Sequence, residues 1–163
     1  MNESKLWVTT DQIEQIIIDI ENHHPYETGG VLMGYTGLNG DVVVTDIIYS
    51  GPNAIHKRYS FCPDQEYQLE QIANIFYESN RSVNYLGDWH SHPNTVPDLS
   101  MLDKRTLTKI ALTPESKCPN PIMVIFGEKP NKWTINAVRF QSGKIRIWPF
   151  SSCKYEYLQL FSD

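Results

Sequence analysis

The order in which helical and strand periodicities follow one another most constrains the fold of this chain. Four isoleucines near the N-terminus recur at the spacing of a single helix face: Ile13, Ile16, Ile17 and Ile20. Thr9 and Gln12 are placed as a capping box, and Pro25 pushes the residue before it out of the helical region. The pattern therefore predicts a first helix over residues 10–23.

The rest of the chain alternates between apolar β-branched runs and two further helical patterns. A hairpin is predicted from strands 30–35 and 41–49, because Asn39-Gly40 between them favours a tight turn. Helices are predicted from Pro63 to about residue 80, and from Asp98 or Leu99 to Leu112 with Asp98 as the cap. The remaining predicted strands cover 83–92, 121–126, 132–140 and 144–150. This order predicts an α/β fold, a mixed β-sheet sandwiched by helices.

Length, charge and cysteine usage exclude several classes of protein. The 163 residues and the absence of a low-complexity linker predict a single domain over 1–163. A net charge of −5 lacks the basic field that nucleic acid requires, so no nucleic acid partner is expected. Three widely spaced cysteines without a CxxC motif predict reduced thiols rather than a thiolate metal site. No apolar run approaches the ~18 residues of a membrane span, so a cytoplasmic protein is expected.

Residues able to perform chemistry concentrate in segment 87–103. His90 and His92 alternate along a predicted strand, so both imidazoles project from one face with Cα atoms ~6.6 Å apart. Ser100 and Asp103, three residues apart on the next helix, share a face. Imidazole nitrogen and carboxylate oxygen are ordinary Zn²⁺ ligands, and three protein ligands with one open position are the catalytic arrangement. The segment therefore predicts a metal site.

Three carboxylates compete to be the third ligand. The Cα atom of Asp88 is expected ~13 Å from that of His92, which is far for one tetrahedral ion. Asp98 has a sufficient structural role as the predicted helix cap. Asp103 is therefore the preferred third ligand.

A separate carboxylate stands between the first helix and the first strand. Glu27 lies beside glycines that permit close backbone approach, and a hydrolytic metal site needs a base of this type. Spacing alone does not distinguish such a base from a solvated carboxylate at the start of a strand. Residues 56–58 are predicted to form a solvated loop, and Trp89 is predicted to face away from the two histidines.

The combined pattern resembles a known family. Glu27-Thr-Gly-Gly, then His90-Ser-His92, seven residues beginning with Pro93, and Ser100-x-x-Asp103 resemble the JAMM (MPN-plus, JAB) zinc metallopeptidases, whose motif is a distant Glu followed by H-S/T-H-x7-S-x-x-D. The resemblance implies that family's sheet sandwiched by helices, akin to cytidine deaminases. The H-x-E and P-C-x-x-C signature of a true deaminase is absent.

The resemblance also implies a role for each residue. His90, His92 and Asp103 would hold one Zn²⁺ ion, which lowers the pKa of its bound water toward ~7. Glu27 would accept the proton of that water and pass it to the departing amine. Ser100, together with the zinc, would stabilise the oxyanion of the tetrahedral intermediate.

Substrate and partners are likewise implied by the family. Its members usually hydrolyse the amide after a ubiquitin-like C-terminus. This short chain resembles stand-alone prokaryotic members, such as the deconjugating peptidase of type II CBASS anti-phage operons, which act on targets modified by E1-like and E2-like proteins. Two alternatives stay open: a maturation protease for a ubiquitin-like sulphur-carrier protein, and a non-catalytic scaffold like the MPN-minus relatives.

Overall fold

A computed structural model describes residues 4–130, 132–142 and 154–162. Its helices are α1 (Thr10–His23), α2 (Gln65–Glu78) and α3 (Met101–Leu112), with a 3₁₀ turn at Pro114–Ser116. The strands are β1 (Lys5–Trp7), β2 (Gly29–Thr36), β3 (Val42–Ile48), β4 (Ile55–Lys57), β5 (Ser60–Cys62), β6 (Asn84–His92), β7 (Ile122–Lys129), β8 (Lys132–Gln141), β9 (Lys154–Tyr157) and β10 (Gln159–Phe161). In the described ranges, no helix has the length and apolar character of a membrane span.

Eight strands form one mixed sheet in the order β10-β1-β3-β2-β6-β7-β8-β9. The pairs of β1 with β10, β1 with β3, and β6 with β7 are parallel, and the other neighbours are antiparallel. Strands β4 and β5 form a separate hairpin. The predicted mixed sheet is confirmed, and β6, which carries the two histidines, lies near its centre.

The helices cover the two faces of the sheet unequally. Ile16 and Ile20 of α1 pack on one face, in a buried cluster that includes Trp89 and Phe126. On the other face, α2 packs on β2 and β3, whereas α3 packs on β7 and β8 in a separate cluster. Because β6 lies between β2 and β7, the gap between α2 and α3 runs over β6. That gap forms a cleft.

Two of the three helices begin at residues other than those predicted from the sequence. Helix α1 begins with the predicted capping box. The N-cap of α2 is Asp64, whose side chain accepts the N–H of Tyr67, so Pro63 lies outside the helix. The prediction that Asp98 caps α3 is wrong, because Ser100 is the N-cap. The Ser100 side chain accepts an N–H of the first turn of the helix. Asp98 lies two residues before the N-cap position and cannot make this bond.

One other predicted segment differs in the structure, and a second cannot be compared. The turn between β2 and β3 spans 37–41 and places only Gly40 at positive φ (87°), so it is not a two-residue hairpin turn. The predicted strand 144–150 lies outside the described residues. Beyond it, β10 pairs with β1 and Leu158 is buried, which ties the C-terminal segment to the sheet.

The sheet beside the cleft depends on Gly30. A Cβ atom at this position would clash with the carbonyl oxygen of Ile48 and lie 2.7 Å from the indole nitrogen of Trp89. We expect Gly30→Ala to lower the free energy of unfolding by about 2 to 3 kcal/mol, with a fall in Tm of about 5 to 10 °C. Gly37→Ala is the control, because a Cβ there meets the movable side chain of Asn39. Equal melting temperatures for the two variants in thermal unfolding would contradict this expectation.

Candidate metal centre

The end of β6 and the start of α3 meet inside the cleft between α2 and α3. The cleft has a volume of about 690 Å³. All five residues that the sequence singles out for catalysis or metal binding line it: Glu27, His90, His92, Ser100 and Asp103. They come from three separate parts of the chain. The structure therefore brings the predicted site residues together in one solvent-accessible space.

Three of these side chains converge on one point. The Nε2 atoms of His90 and His92 are 2.9 Å apart. Asp103 Oδ1 lies 3.3 Å from His90 Nε2, and Oδ2 lies 3.9 Å from His92 Nε2. Ligand atoms held ~2.0–2.1 Å from one tetrahedral ion are about 3.3 Å from one another. Among the residues that the structure describes, this is the only such group of three that could hold a metal ion.

The protonation states of the group favour a cation. Burial, and then the neighbouring His90, lower the pKa of His92, so this imidazole stays neutral and keeps a lone pair for a metal. Burial alone would raise the pKa of Asp103. Hydrogen bonding and charge from His90, with hydrogen bonds from Ser100, outweigh that effect and hold the pKa well below its usual range. The donor set therefore combines imidazole nitrogens with a carboxylate, a combination that suits Zn²⁺.

The helix cap fixes the carboxylate of Asp103. The N–H of Ser100 donates to Asp103 Oδ2 at 2.7 Å, and the N–H of Asp103 donates to Ser100 Oγ at 3.1 Å. This reciprocal pair is a capping box in which aspartate takes the place of the usual Glu or Gln. The motif Ser-x-x-Asp thus starts the helix and aims its carboxylate at the two imidazoles.

Asp88, the weakest candidate in the sequence, does not join the group. The Tyr85 hydroxyl donates to Asp88 Oδ1 at 2.8 Å. Asp88 lines the same cleft, and burial raises its pKa to about 6. Trp89 faces the opposite side of β6, as predicted, and its indole N–H donates to the carbonyl of Ile48 at 3.2 Å.

Glu27 lines the same cleft just before β2. Burial raises its pKa to about 7, an effect that His90 opposes and Asp103 reinforces. Such a carboxyl group is half protonated near neutral pH, where a general base works most efficiently. Its environment therefore differs from that of a solvated carboxylate at the start of a strand.

The start of β2 is tied directly to the strand of histidines. The N–H of Thr28 donates to Ser91 Oγ at 3.1 Å, and the N–H of Ser91 donates to the carbonyl of Thr28 at 2.9 Å. Both side chains are completely buried. Since Ser91 lies between His90 and His92 in the sequence, these bonds fix the distance from the Glu27 segment to the two imidazoles.

Two residues near the site were missed from the sequence. His56 was predicted to lie in a solvated loop, yet it belongs to β4 and its Nδ1 lies 3.0 Å from the carbonyl oxygen of Glu27. Glu128, at the end of β7, accepts the N–H of Asn94 at 2.7 Å and contacts His24 at 3.2 Å. Glu128 thereby joins the loop after His92 to the segment before Glu27. These contacts join residues that are far apart in the sequence, so no local sequence pattern predicts them.

The raised pKa of Glu27 has a measurable consequence for the metal-free protein. Its pKa rises from 4.5 to about 7 on folding, so the folded state binds the proton more tightly than the unfolded chain. The stability that Glu27 contributes is full below pH 4.5 and is lost as the pH rises to 7. We expect Glu27→Gln to match wild type in Tm at pH 4 and to exceed it by several degrees at pH 8, in chelator-treated samples. A constant Tm difference across this range would contradict the shift.

A pair of strand-borne imidazoles, a carboxylate from the next helix and a carboxyl group of raised pKa in the same cleft define a metallohydrolase type of site. Residues 9–141 match the family described as prokaryotic homologs of the JAB domain. The chain therefore belongs to the prokaryotic JAB family of hydrolases, as the sequence motif indicated.

Individual relatives agree with this assignment. Probable metalloprotease y4qB from Sinorhizobium fredii is 35% identical over 133 residues, which are 81% of this chain and 81% of the relative. A CD-NTase/cGAS isopeptidase from Enterobacter hormaechei is 26% identical over 124 residues, or 76% of this chain and 67% of the relative. A protein of the same name from Escherichia coli is 28% identical over 103 residues, which are 63% of each chain.

A solved structure supports the fold. The solution structure of protein DSY2949 from Desulfitobacterium hafniense superposes with a TM-score of 0.67 at 19% identity. The match covers 97% of this chain and 92% of that protein. At this level of identity the likeness concerns the fold alone.

Proposed function

We propose that this protein is a zinc-dependent peptidase or isopeptidase that hydrolyses the amide bond after the C-terminus of a ubiquitin-like or other protein. The observation that carries the proposal is the convergence of His90, His92 and Asp103 within a cleft that Glu27 also lines. The neutral imidazole, the carboxylate and the spacing of the donor atoms fit Zn²⁺. A zinc ion held by these three residues would supply an activated water and polarise the scissile carbonyl.

Glu27 acts as the proton carrier in this proposal. Its pKa of about 7 allows the carboxylate to take a proton at neutral pH and to give it up again within the same turnover. The departing amine needs a proton, because an amide nitrogen is a poor leaving group as an anion. Glu27 first accepts that proton from the attacking water and then delivers it to the amine. One residue therefore serves as base and then as acid.

Ser100 is the proposed hydrogen-bond donor to the carbonyl oxygen on which negative charge develops. Its Oγ accepts the N–H of Asp103, which orients the hydroxyl group at the edge of the cleft. A hydrogen bond donated to the oxygen of the reacting carbonyl contributes ~3 kcal/mol to transition-state stabilisation in well-placed cases. Ser100 thus has two roles, as helix cap and as donor to substrate.

The relatives support a protein conjugate as the substrate. Two of them are named CD-NTase/cGAS isopeptidase, which describes cleavage of a nucleotidyltransferase from another protein. We propose a similar deconjugation here, on a target modified by E1-like and E2-like proteins in the cytoplasm, with a role in anti-phage defence. Maturation of a ubiquitin-like sulphur-carrier protein is the alternative, since it breaks the same bond with a different leaving group.

A cleavage assay tests the function. Zinc-loaded protein is incubated with two substrates that share one ubiquitin-like C-terminus, joined either to a peptide or to a lysine side chain. We expect cleavage directly after the C-terminal residue, and we expect chelation or Glu27→Ala to abolish it. Preference for the lysine-linked substrate supports deconjugation, and preference for the peptide-linked one supports maturation. Cleavage that persists in Glu27→Ala, or a lack of cleavage with zinc bound, would contradict the proposal.

A further inference from the structure

The main chain of Glu27 is held by the β4–β5 hairpin. Its N–H donates to the carbonyl of Lys57 at 2.8 Å. Its own carbonyl lies 3.0 Å from Nδ1 of His56, a distance at which the ring N–H donates to it. Both polar groups of the Glu27 backbone are therefore bound by adjacent residues of one short strand, β4.

The side chain of His56 is held in place by His23. Its ring stacks on that of His23, with centroids 3.9 Å apart and an angle of 26° between the planes. Nδ1 of His23 is 2.8 Å from the carbonyl oxygen of Asp19, one turn earlier in α1. A series of contacts thus connects the end of α1, through the His23 and His56 rings, to the backbone of Glu27.

The same hairpin forms a wall of the cleft. Tyr59, Ser60 and Phe61 line the cleft opposite α3, whereas His56 does not line it. Phe61 lies so close to Gly29 that a Cβ atom there would lie 2.5 Å from its ring. The hairpin therefore contacts both the cleft and the segment that carries Glu27, whereas His56 itself is not among the residues that line the cleft.

From this geometry we infer that His56 is a positioning residue for Glu27, holding the carboxylate of the general base at its working distance from the metal ligands. The inference rests on the proposed function, in which Glu27 transfers the proton. A displacement of about 1 Å at a reacting group can reduce a rate by ~10²-fold. Loss of the Nδ1 donor would free one side of the Glu27 backbone and leave only the bond to Lys57.

Paired substitutions separate the hydrogen bond from simple packing. In His56→Asn the side-chain amide nitrogen occupies nearly the position of Nδ1, whereas in His56→Gln it lies one bond further out. We expect His56→Gln to lower kcat by about 10- to 100-fold, with KM and metal affinity within twofold of wild type. His56→Asn should retain most of the activity. Arg58→Ala, an exposed position in the same hairpin, is the matched control and should behave as wild type.

Hydrogen exchange provides a readout that does not depend on activity. The amide of Glu27 is protected by the carbonyl of Lys57, so we expect its exchange to accelerate at least ~10-fold in His56→Gln and to stay slow in His56→Asn. Equal exchange rates in both variants and wild type would overturn the inference. Equal impairment of both variants would also overturn it, because packing against His23 would then be the cause.

The failure of this inference is distinguishable from a failure of the proposed function. If wild type cleaves neither substrate, or if Glu27→Gln cleaves as well as wild type, the proposed function is wrong. The exchange measurement then still decides whether His56 holds the Glu27 backbone. If wild type is active and Glu27→Gln is not, a fully active His56→Gln overturns the role of His56 alone.

Discussion

Glu27→Gln is expected to lower kcat by about 10³-fold while leaving the bound metal unchanged. The amide keeps the size of the carboxyl group but can neither accept a proton nor return it to the leaving amine. Glu27 is not one of the three converging donor residues, so its replacement should not reduce metal affinity. The measurements are steady-state kinetics on the fusion substrate and the metal content of the same preparation by elemental analysis.

The matched control is Glu70→Gln, which makes the same chemical change at an exposed position of α2. It should retain full activity and the same melting temperature. A Glu27→Gln enzyme with more than half of wild-type kcat would rule out Glu27 as the proton carrier. A parallel loss of metal would show instead that Glu27 belongs to the ligand set.

Asp103→Asn is expected to reduce metal affinity by at least ~10²-fold and to abolish activity. Loss of an outer hydrogen-bond partner of a ligand already costs 10- to 100-fold, and removal of a ligand charge costs more. The amide oxygen can still accept the N–H of Ser100, so the helix cap is largely kept and the protein should stay folded. Competition with a chromophoric chelator measures the affinity, and circular dichroism checks the fold.

Asp98→Asn tests whether Asp98, rather than the preferred Asp103, supplies the third ligand. Asp98 lines the cleft but is not among the converging donors, so its variant should bind metal as wild type does. Tight metal binding by Asp103→Asn together with weak binding by Asp98→Asn would reverse the proposed ligand assignment. Zinc restored to the chelated wild type should restore cleavage.

Local sequence signals predicted much of the fold. The capping box at Thr9 and the proline after His24 are contained within a few residues, and α1 has the predicted bounds. The apolar runs and their alternation likewise predicted β2, β3, β6, β7 and β8 and the mixed sheet. The placement of His90 and His92 on one face follows from the two-residue repeat of a strand, which needs no tertiary information.

The failures have more than one physical cause. Asp98 and Ser100 are both good cap residues, and only the reciprocal bonds with Asp103 decide between them. The β4–β5 hairpin was missed because three-residue strands carry almost no periodic signal. Glu128 reaches Asn94 across 34 residues, and His56 reaches Glu27 across 29. Such contacts are set by the packed sheet rather than by neighbours along the chain.

The site combines residues that are close together in the sequence with one residue that is far from them. The three converging donors lie between His90 and Asp103, on a strand and the helix that follows it. Glu27 joins them through the pairing of β2 with β6, in which Gly29 lies opposite His90. In the proposed enzyme, metal content therefore tests the geometry of residues 90–103, whereas turnover also tests the pairing of β2 with β6.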